Sequence, residues 1–317
     1  MKKHFINTIK AGDTIDEVFV LAEKFLSQKK DGNNFLNVTL SDKTGRIKGV
    51  VWDNVDDISL NVSSGNFVHV KANVSEYRDM LQLVIKSMAI CPVELLDPMD
   101  FLPVTTLNVD DLFERLVKKT ESLQNDHLKQ LFNAFWEDTA FVRDFKRAPA
   151  AKNMHHAYLG GLLVHTVSMV FLADKIAEHY RGGGIDRDLL IAGTILHDIG
   201  KLREFEYQYK IDYSDEGRLL SHIVIGLKMI DEKLDKLQNF PKNLEILLKH
   251  LVVSHHGSRE FGSPEVPKTI EAVLLNYVDE IDSKVNGIRD FIAQENSGEN
   301  WTSYHKMLGR HFYTGNQ

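Results

Sequence analysis

The feature that most narrows what this chain can fold into is the stretch Ile195–Lys201, Ile-Leu-His-Asp-Ile-Gly-Lys. The apolar run Leu189–Leu196 leads into it and reads as a buried helix, with Gly200 placed to end that helix as a C-terminal cap. The helix therefore delivers an adjacent imidazole and carboxylate, His197 and Asp198, at a buried end. Burying an unpaired carboxylate is costly, so one found there is normally paired or bound to a metal. Taken alone, the dipeptide would equally suit a helix end in water. The rest of the chain decides between the two.

His165, His222, His255, His256 and Asp279 each fall in or at the end of a segment with a helical pattern. His165 lies within Tyr158–His179, where Leu162, Val164, Val167, Met169, Val170 and Leu172 make an apolar surface nearly all round, the mark of a buried helix. Gly161 stands four residues before His165 on the same face, where a missing side chain admits another helix or a substrate. One buried histidine is most often a hydrogen-bonded core residue. A series His…His-Asp…His…His-His…Asp along successive helices points to metal instead.

Up to Cys91 the period is that of strands. Glu17–Gln28 alternates imperfectly and is rich in Val, Phe and Leu. Phe35–Leu40, the turn Ser41–Gly45 and Arg46–Trp52 read as a hairpin, and Phe67–Tyr77 with Met80–Cys91 as a second one, turning at Tyr77-Arg-Asp-Met80. Five strands of this kind suit a small Greek-key barrel and resemble an OB-fold. Such barrels bind single strands by stacking bases on exposed aromatics beside a cationic groove. Trp52 and Tyr77 are the candidates for base contact, with Phe35 and Phe67 behind them, and Lys48, Lys71, Arg78 and Lys86 for phosphates. Against this stands the demand of the barrel interior for the same aromatics, and a near-neutral balance of 12 Lys and Arg to 11 Asp and Glu over this part.

The whole chain carries a net charge of −7, which excludes a protein that coats polyanions generically. The excess acid lies in the C-terminal part, partly on the proposed ligands, whose charge bound cations would offset. The single Cys91 excludes an internal disulfide framework and a cysteine-rich zinc site, and fits a reducing, cytoplasmic location. The longest apolar run, Ala157–Ala173, is short for a membrane span and contains His165 and two glycines, so it reads as core and no membrane partner is expected. Met1–Lys10 has basic residues, but Ala11–Glu17 supplies no apolar core for a signal peptide.

Pro92, Pro98 and Pro103 mark a stiff linker over residues 92–106. Val109–Leu123 and Asp126–Asp138 then read as supporting helices without ligands. Ligand-bearing helices are expected at about 156–180, 188–198, 218–237, 243–255 and 267–293. Arg203–Glu216, with Phe205, Tyr207, Tyr209 and Tyr213, reads as an extended loop or short hairpin that either walls the site or covers the helical core.

The order His165, His197-Asp198, Asp279 resembles the signature of the HD-domain metal-dependent phosphohydrolases, and His222 and His255 resemble the additions of the subset that holds two metals. Two longer blocks are more specific: Ala148-Pro-Ala-Ala-Lys-Asn-Met-His-His-Ala-Tyr-Leu-Gly-Gly-Leu-Leu-Val-His-Thr166 and Ser254-His-His-Gly-Ser-Arg-Glu-Phe-Gly-Ser-Pro264. With the OB-like segment, nearly all of the 317 residues resemble the 3′–5′ exoribonucleases of the YhaM type. The fold expected is multidomain α and β: a five-stranded OB-like barrel at 1–91 that binds single strands, the linker 92–106, and a helical region 107–317 whose all-α HD domain has its core at about 150–295.

The resemblance implies one metal on His165, His197, Asp198 and Asp279 and another on Asp198, His222 and His255. A carboxylate has two oxygens and can bridge two cations, and a water acidified between them attacks phosphorus in line. Nitrogen and oxygen donors without thiolate suit manganese, iron, cobalt, nickel or zinc, and the resemblance favours manganese. Lys201, just past the helix end, is expected to stabilise charge on a phosphate oxygen, its alternative being a solvated lysine favoured by the helix dipole. Arg147, His155, His156 and His256 are further candidates for substrate contact. On a continuous helix His156 would face away from His165, so it joins the site only if the helix starts later or bends. Asp282 either orients a ligand from behind or is exposed. Asn276 stands where relatives are expected to have His.

The implied activity is 3′–5′ hydrolysis of single-stranded RNA to nucleoside 5′-monophosphates, with single-stranded DNA left open as a second substrate, by a homo-oligomer. Two alternatives remain on the residues alone. One is an HD-type nucleotide or cyclic-nucleotide phosphohydrolase. Its cyclic-dinucleotide form is disfavoured because His255-His256 runs into Gly-Ser-Arg-Glu-Phe-Gly with no Gly-Tyr-Pro. The other is a non-catalytic single-strand-binding protein, which has no need of so many metal-type residues in series.

Overall fold

In the computed structural model, residues 2–28, 32–77, 80–97, 100–152, 156–208, 210–294 and 300–315 are described. The chain divides into two compact units, residues 1–104 with 208–210, and residues 105–207 with 211–317.

The first unit is a barrel. β1 (Thr14–Gln28), β2 (Asn34–Asp42), β3 (Gly45–Val51), β4 (Phe67–Tyr77) and β5 (Met80–Ile90) close in the order β1-β2-β3-β5-β4. All neighbours are antiparallel except β3 and β5, which pair parallel from Lys48 opposite Gln82 to Val51 opposite Ile85. Alternation sets the interior: Ile15, Phe19, Leu36, Val38, Leu40, Val51, Val68, Val70 and Leu83 are buried, while Lys48, Lys71 and Lys86 stay exposed. β1 begins earlier than the alternation suggests, because Thr14 and Ile15 pair with Asn73 and Ala72 of β4. A short helix α1 (Val55–Asn61), unforeseen in the sequence, carries Val55 and Ile58 into the barrel core.

The expected linker is a correction. Phe101 is buried and packs edge-on against Phe67 at 4.9 Å, in a cluster with Val20 that Val93 and Leu96 join. Pro92 stands just past the end of β5, and the apolar Val93, Leu96 and Phe101 beyond it have a barrel wall to cover. Pro98 and Arg78 lie outside the described residues.

The second unit is helical: α2 (Val109–Glu121), α3 (Asp126–Trp136), α4 (Thr139–Arg147), α5 (Gly161–His179), α6 (Arg187–Leu196), α7 (Lys201–Glu204), α8 (Asp215–Leu234), α9 (Lys242–Ser254) and α10 (Ile270–Gln294). Between α7 and α8 a two-stranded hairpin pairs β6 (Phe205–Glu206) with β7 (Asp212–Tyr213); Tyr209 of that stretch lies outside the described residues. Side-chain caps set the early starts: Asn108, Asn125 and Asp138 each accept two backbone N–H groups of the turn that follows. The Asp138 cap creates α4, a helix the periodicity alone does not single out. Phe132, Phe135, Phe145, Leu163, Val170, Leu190, Leu251 and Leu275 lie in one buried core. No helix among the described residues is long and apolar enough to cross a membrane.

Two glycines act differently from expectation. Gly200 has ordinary right-handed helical angles, φ −62° and ψ −20°, so it does not cap by a left-handed turn. It is instead a site of close approach: a Cβ there would lie 1.9 Å from the carbonyl oxygen of His222 and 2.7 Å from the amide of Gly226. Gly161 meets the backbone of His156 in the same way, at 2.0 Å.

Candidate metal centre

The other five residues expected as ligands gather round Asp198. α6 ends at Leu196, and His197 follows as its C-cap. The last carbonyls of a helix lack partners within it, and the ring of His197 answers one of them, Nδ1 lying 2.8 Å from the Thr194 oxygen. His255 repeats the arrangement at the end of α9, with Nδ1 2.7 Å from the Val252 oxygen. His222 and His165 are held by carboxylates. Glu204 Oε1 accepts from both the backbone N–H and the Nδ1 of His222, each at 2.9 Å. Asp282 Oδ2 accepts from His165 Nδ1 at 2.8 Å.

These acceptors decide the chemistry of the rings. Carbonyl and carboxylate oxygens only accept, so Nδ1 is the donor in all four imidazoles, and Nε2 is the atom offered elsewhere. The four Nε2 atoms face Asp198 in two pairs. His197 and His165 lie 3.2 and 3.7 Å from Oδ2, and His222 and His255 lie 3.6 and 3.7 Å from Oδ1. Asp279 Oδ1 is 3.4 Å from His165 Nε2 and so joins the first pair. Asp279 and Asp282, one turn apart on α10, grip one imidazole from its two sides.

Asp198 is buried, as are His165, His197, His222 and His255. Nε2 of His197, His222 and His255, Oδ1 of Asp198 and Nδ1 of His256 are buried without a hydrogen-bond partner. Buried polar atoms are rarely left so, and of these the three Nε2 atoms and Asp198 Oδ1 are metal-type donors that lie together. The groups His165–His197–Asp279 and His222–His255–His256 each keep their donor atoms within 4.8 Å of one another. The donor set fits divalent cations, with Asp198 shared between two positions.

Electrostatics follow from this crowding. Burial disfavours charge on His165, but Asp279 and Asp282 outweigh it and raise its pKa to about 9. Burial also opposes ionisation of Asp198, yet Lys201 and His197 hold its carboxyl well below the usual range. Burial, with His197 and His256 beside it, holds His255 neutral.

The remaining candidates fall in different places. Lys201 is neither solvated nor free: its Nζ donates to Asp198 Oδ2 at 2.6 Å. His156 is not on α5, which starts at Gly161. It sits in a turn with φ 57°, buried, with Nε2 3.2 Å from Asp282 Oδ2 and Nδ1 2.8 Å from the Tyr158 hydroxyl. Both ring nitrogens are engaged, so in this structure it supports Asp282 from behind His165, contrary to its expected contact with substrate. Ser168 Oγ donates to the other Asp282 oxygen. Arg147 is exposed at the end of α4, and among the described residues its guanidinium makes no bond to the centre. His155 lies outside the described residues. Asn276 donates to the His255 carbonyl at 2.8 Å, tying α10 to the end of α9.

Glu204 and the backbone of Ser221 escaped the sequence reading. Ser221 has φ 61° and ψ 161° inside α8, a region almost confined to glycine. This kink turns His222 toward Asp198. The sequence carried no sign of it, and Glu204 looked like any acidic residue of a polar stretch.

On the barrel, Trp52 is 42% exposed and stacks on Phe35 at 5.1 Å, and Tyr77 is 59% exposed beside the β4–β5 turn. Phe67 is withdrawn into the cluster with Phe101. Trp52 also lines a cavity of about 650 Å³ with Asp53, Asp56 and Asp57, an acidic lining that does not suit phosphate. Lys71 is already paired with Asp16 at 3.6 Å.

Comparison with known families agrees with this architecture. Residues 162–284 match the HD domain model, and residues 20–90 match the model described as an OB-fold nucleic acid binding domain. A third model, described as a putative helicase, matches residues 99–181. Similar solved structures include the second OB-fold domain of replication protein A from Methanococcus maripaludis, 22% identical over 27% of this chain and 92% of that one, with a TM-score of 0.22. The PriB protein from Ralstonia solanacearum is 13% identical over 26% and 100%, with a TM-score of 0.23. A mitochondrial single-stranded DNA binding protein from S. cerevisiae is 17% identical over 26% and 97%, with a TM-score of 0.22. An HD domain beside an OB-fold nucleic acid binding domain supports a nucleic-acid-related, metal-dependent hydrolase.

Proposed function

We propose that this protein is a metal-dependent 3′–5′ exonuclease that hydrolyses single-stranded RNA, and single-stranded DNA as a second substrate, to nucleoside 5′-monophosphates. The observation that carries the reading is the division of the Asp198 carboxylate. Oδ2 serves His165 and His197, with Asp279 beside them, and Oδ1 serves His222 and His255.

Two divalent cations, manganese in this reading, would be held by these residues and would supply a Lewis acid for the phosphodiester and lower the pKa of the attacking water. The chain does the rest. Asp198 and Asp279 provide the anionic oxygens, and the four imidazoles complete the set without adding negative charge that would repel a phosphodiester. Thr194, Val252, Glu204 and Asp282 keep every Nε2 aimed inward. Lys201 brings an ammonium into the centre, where it stabilises negative charge on a phosphate oxygen. Residues 1–104 are assigned to gripping the strand, with Trp52 and Tyr77 against bases, and residues 105–317 to hydrolysis. A cytoplasmic homo-oligomer completes the proposal; the single Cys91 supports the first part of it, and light scattering tests the second.

The test uses a 5′-labelled and a 3′-labelled oligoribonucleotide with manganese. A 3′–5′ exonuclease releases the 3′ label at once as mononucleotide, while the 5′-labelled strand shortens as a ladder. Cleavage of a circular RNA would overturn the reading, and so would inertness toward every linear strand.

A further inference from the structure

We propose that residues 300–315 form a second docking surface for single-stranded nucleic acid, carried by the helical unit and not by the barrel. The surface rests on the strand-binding part of the proposed function and is independent of hydrolysis.

The segment comes after α10 and folds back on itself. Trp301 bridges Tyr313 and His305 bridges Arg310, both antiparallel. Thr302 N–H donates to the Phe312 oxygen, and Phe312 N–H to Thr302 Oγ1, each at 2.9 Å. Thr302 is itself buried, which fixes the centre of the fold-back. Side chains of paired extended segments alternate between two faces, and here the two faces differ. One is turned to the helical unit: His305 and Phe312 meet Phe291 of α10 edge-on, with ring centres at 4.5 and 6.4 Å. Trp301 and Tyr313, one residue out of step with Thr302 and Phe312, take the other face, where their rings meet at 5.2 Å. Tyr304 adds a ring 5.3 Å from that of His311. Trp301, Tyr304 and Tyr313 are each more than half exposed, and Lys306, Arg310 and His311 are exposed as well.

Charge selects the ligand. The chain as a whole carries −7, yet residues 300–317 contain no Asp or Glu and include Lys306 and Arg310. Cations beside exposed aromatics match a polymer that alternates phosphates with flat bases, because the rings stack on the bases and the cations follow the backbone. Rings already held in pairs lose little freedom on stacking. Phe291 stands nine residues beyond Asp282 on α10, about 14 Å along the helix and half a turn round it. The surface therefore grips a strand away from the metal centre and serves long strands, not small diesters.

The experiment uses the full chain, freed of metal so that no strand is cut, and a fluorescein-labelled oligouridylate longer than the roughly 4–16 nucleotides that one barrel covers. Binding is followed by anisotropy at several salt concentrations. Trp301→Ala combined with Tyr313→Ala should weaken binding about 5–100-fold, the scale of one stacked base, with an unchanged circular dichroism spectrum. Lys306→Ala, at an exposed side chain, should lower the slope of log affinity against log salt by about 0.7, the share of one phosphate contact. Strands carrying thiouridine should cross-link on irradiation to residues 301–313 of the wild type, a readout that holds even if the double variant loses its local fold. Wild-type affinity in the double variant, or an unchanged salt slope together with no cross-link in 301–313, would overturn the proposal. A changed sedimentation coefficient with unchanged affinity would assign the rings to contact between protein chains and overturn it as well. A wild type that binds no strand would overturn it along with the strand-binding part of the proposed function. A chain that binds strands through these residues but cuts none when manganese is restored would sink the nuclease reading alone.

Discussion

At the scale of the residue, Asp198 is bonded to Lys201, and in the proposed reading the cations compete for the same carboxylate. Asp198→Asn should abolish binding of both metals together with turnover, while circular dichroism reports an intact fold. Retention of both ions by that variant would break the assignment. Lys201→Ala takes the ammonium partner from a buried carboxylate, which in the metal-free protein destabilises by about 3–5 kcal/mol. Divalent ions should restore most of that loss, because they satisfy the same oxygen. Turnover with metals should still fall by about 10²–10³-fold, the scale of one electrostatic contact to developing charge. A melting temperature unchanged by Lys201→Ala without metal would contradict the first part, and an unchanged single-turnover rate the second. His165 gives the pH dependence. Its pKa of about 9 lies above the ordinary 6.5, so its charged form stabilises the metal-free protein fully below pH 6.5, and this is lost as pH rises through 9. A cation needs the neutral ring. Binding near pH 7.5 should therefore expel about one proton at His165 and tighten toward pH 9, as calorimetry in two buffers of different ionisation heat will show.

At the scale of the element, His197 and His255 were legible because each follows an apolar run, and the same end of helix that marks them in sequence orients them in space. Their acceptors were not legible, since the Thr194 and Val252 oxygens are backbone atoms that every residue has. The role of Gly200 was misread for a related reason. A glycine after a helix suggests a left-handed cap, whereas the cause lies farther along the chain, in the backbone of α8 at His222 and Gly226. Gly200→Ala should force α7 from α8 and destabilise by about 1–3 kcal/mol or more, read by urea unfolding. It should also weaken the cation beside His222 and spare the one beside Asp279. Glu204→Ala should weaken the same cation by about 10–100-fold, and Glu204→Gln less, because an acceptor oxygen remains for Nδ1. Equal loss of both cations in either variant would mean that the α7–α8 junction serves the fold and not the site.

At the scale of the whole molecule, the barrel and the helical unit were separable in sequence by the change from alternation to helical period. The boundary was misplaced because prolines were taken for a linker, when Phe101 between them has Phe67 to pack on. A fragment of residues 105–317 contains every proposed ligand. It should keep its metals and its action on short or chromogenic phosphodiesters, and lose affinity for long strands, each stacked base being worth about 1–3 kcal/mol. Unchanged affinity for a long oligonucleotide would assign the barrel to assembly instead. The complementary fragment, residues 1–104, inherits a consequence of its closed strand order. A sheet with no open side gives an incoming strand no ladder to extend. Such a piece, cut free, is expected to stay dispersed at concentrations where an open sheet of equal hydrophobicity would build fibrils, which makes it a ready probe for following strand binding by Trp52 fluorescence.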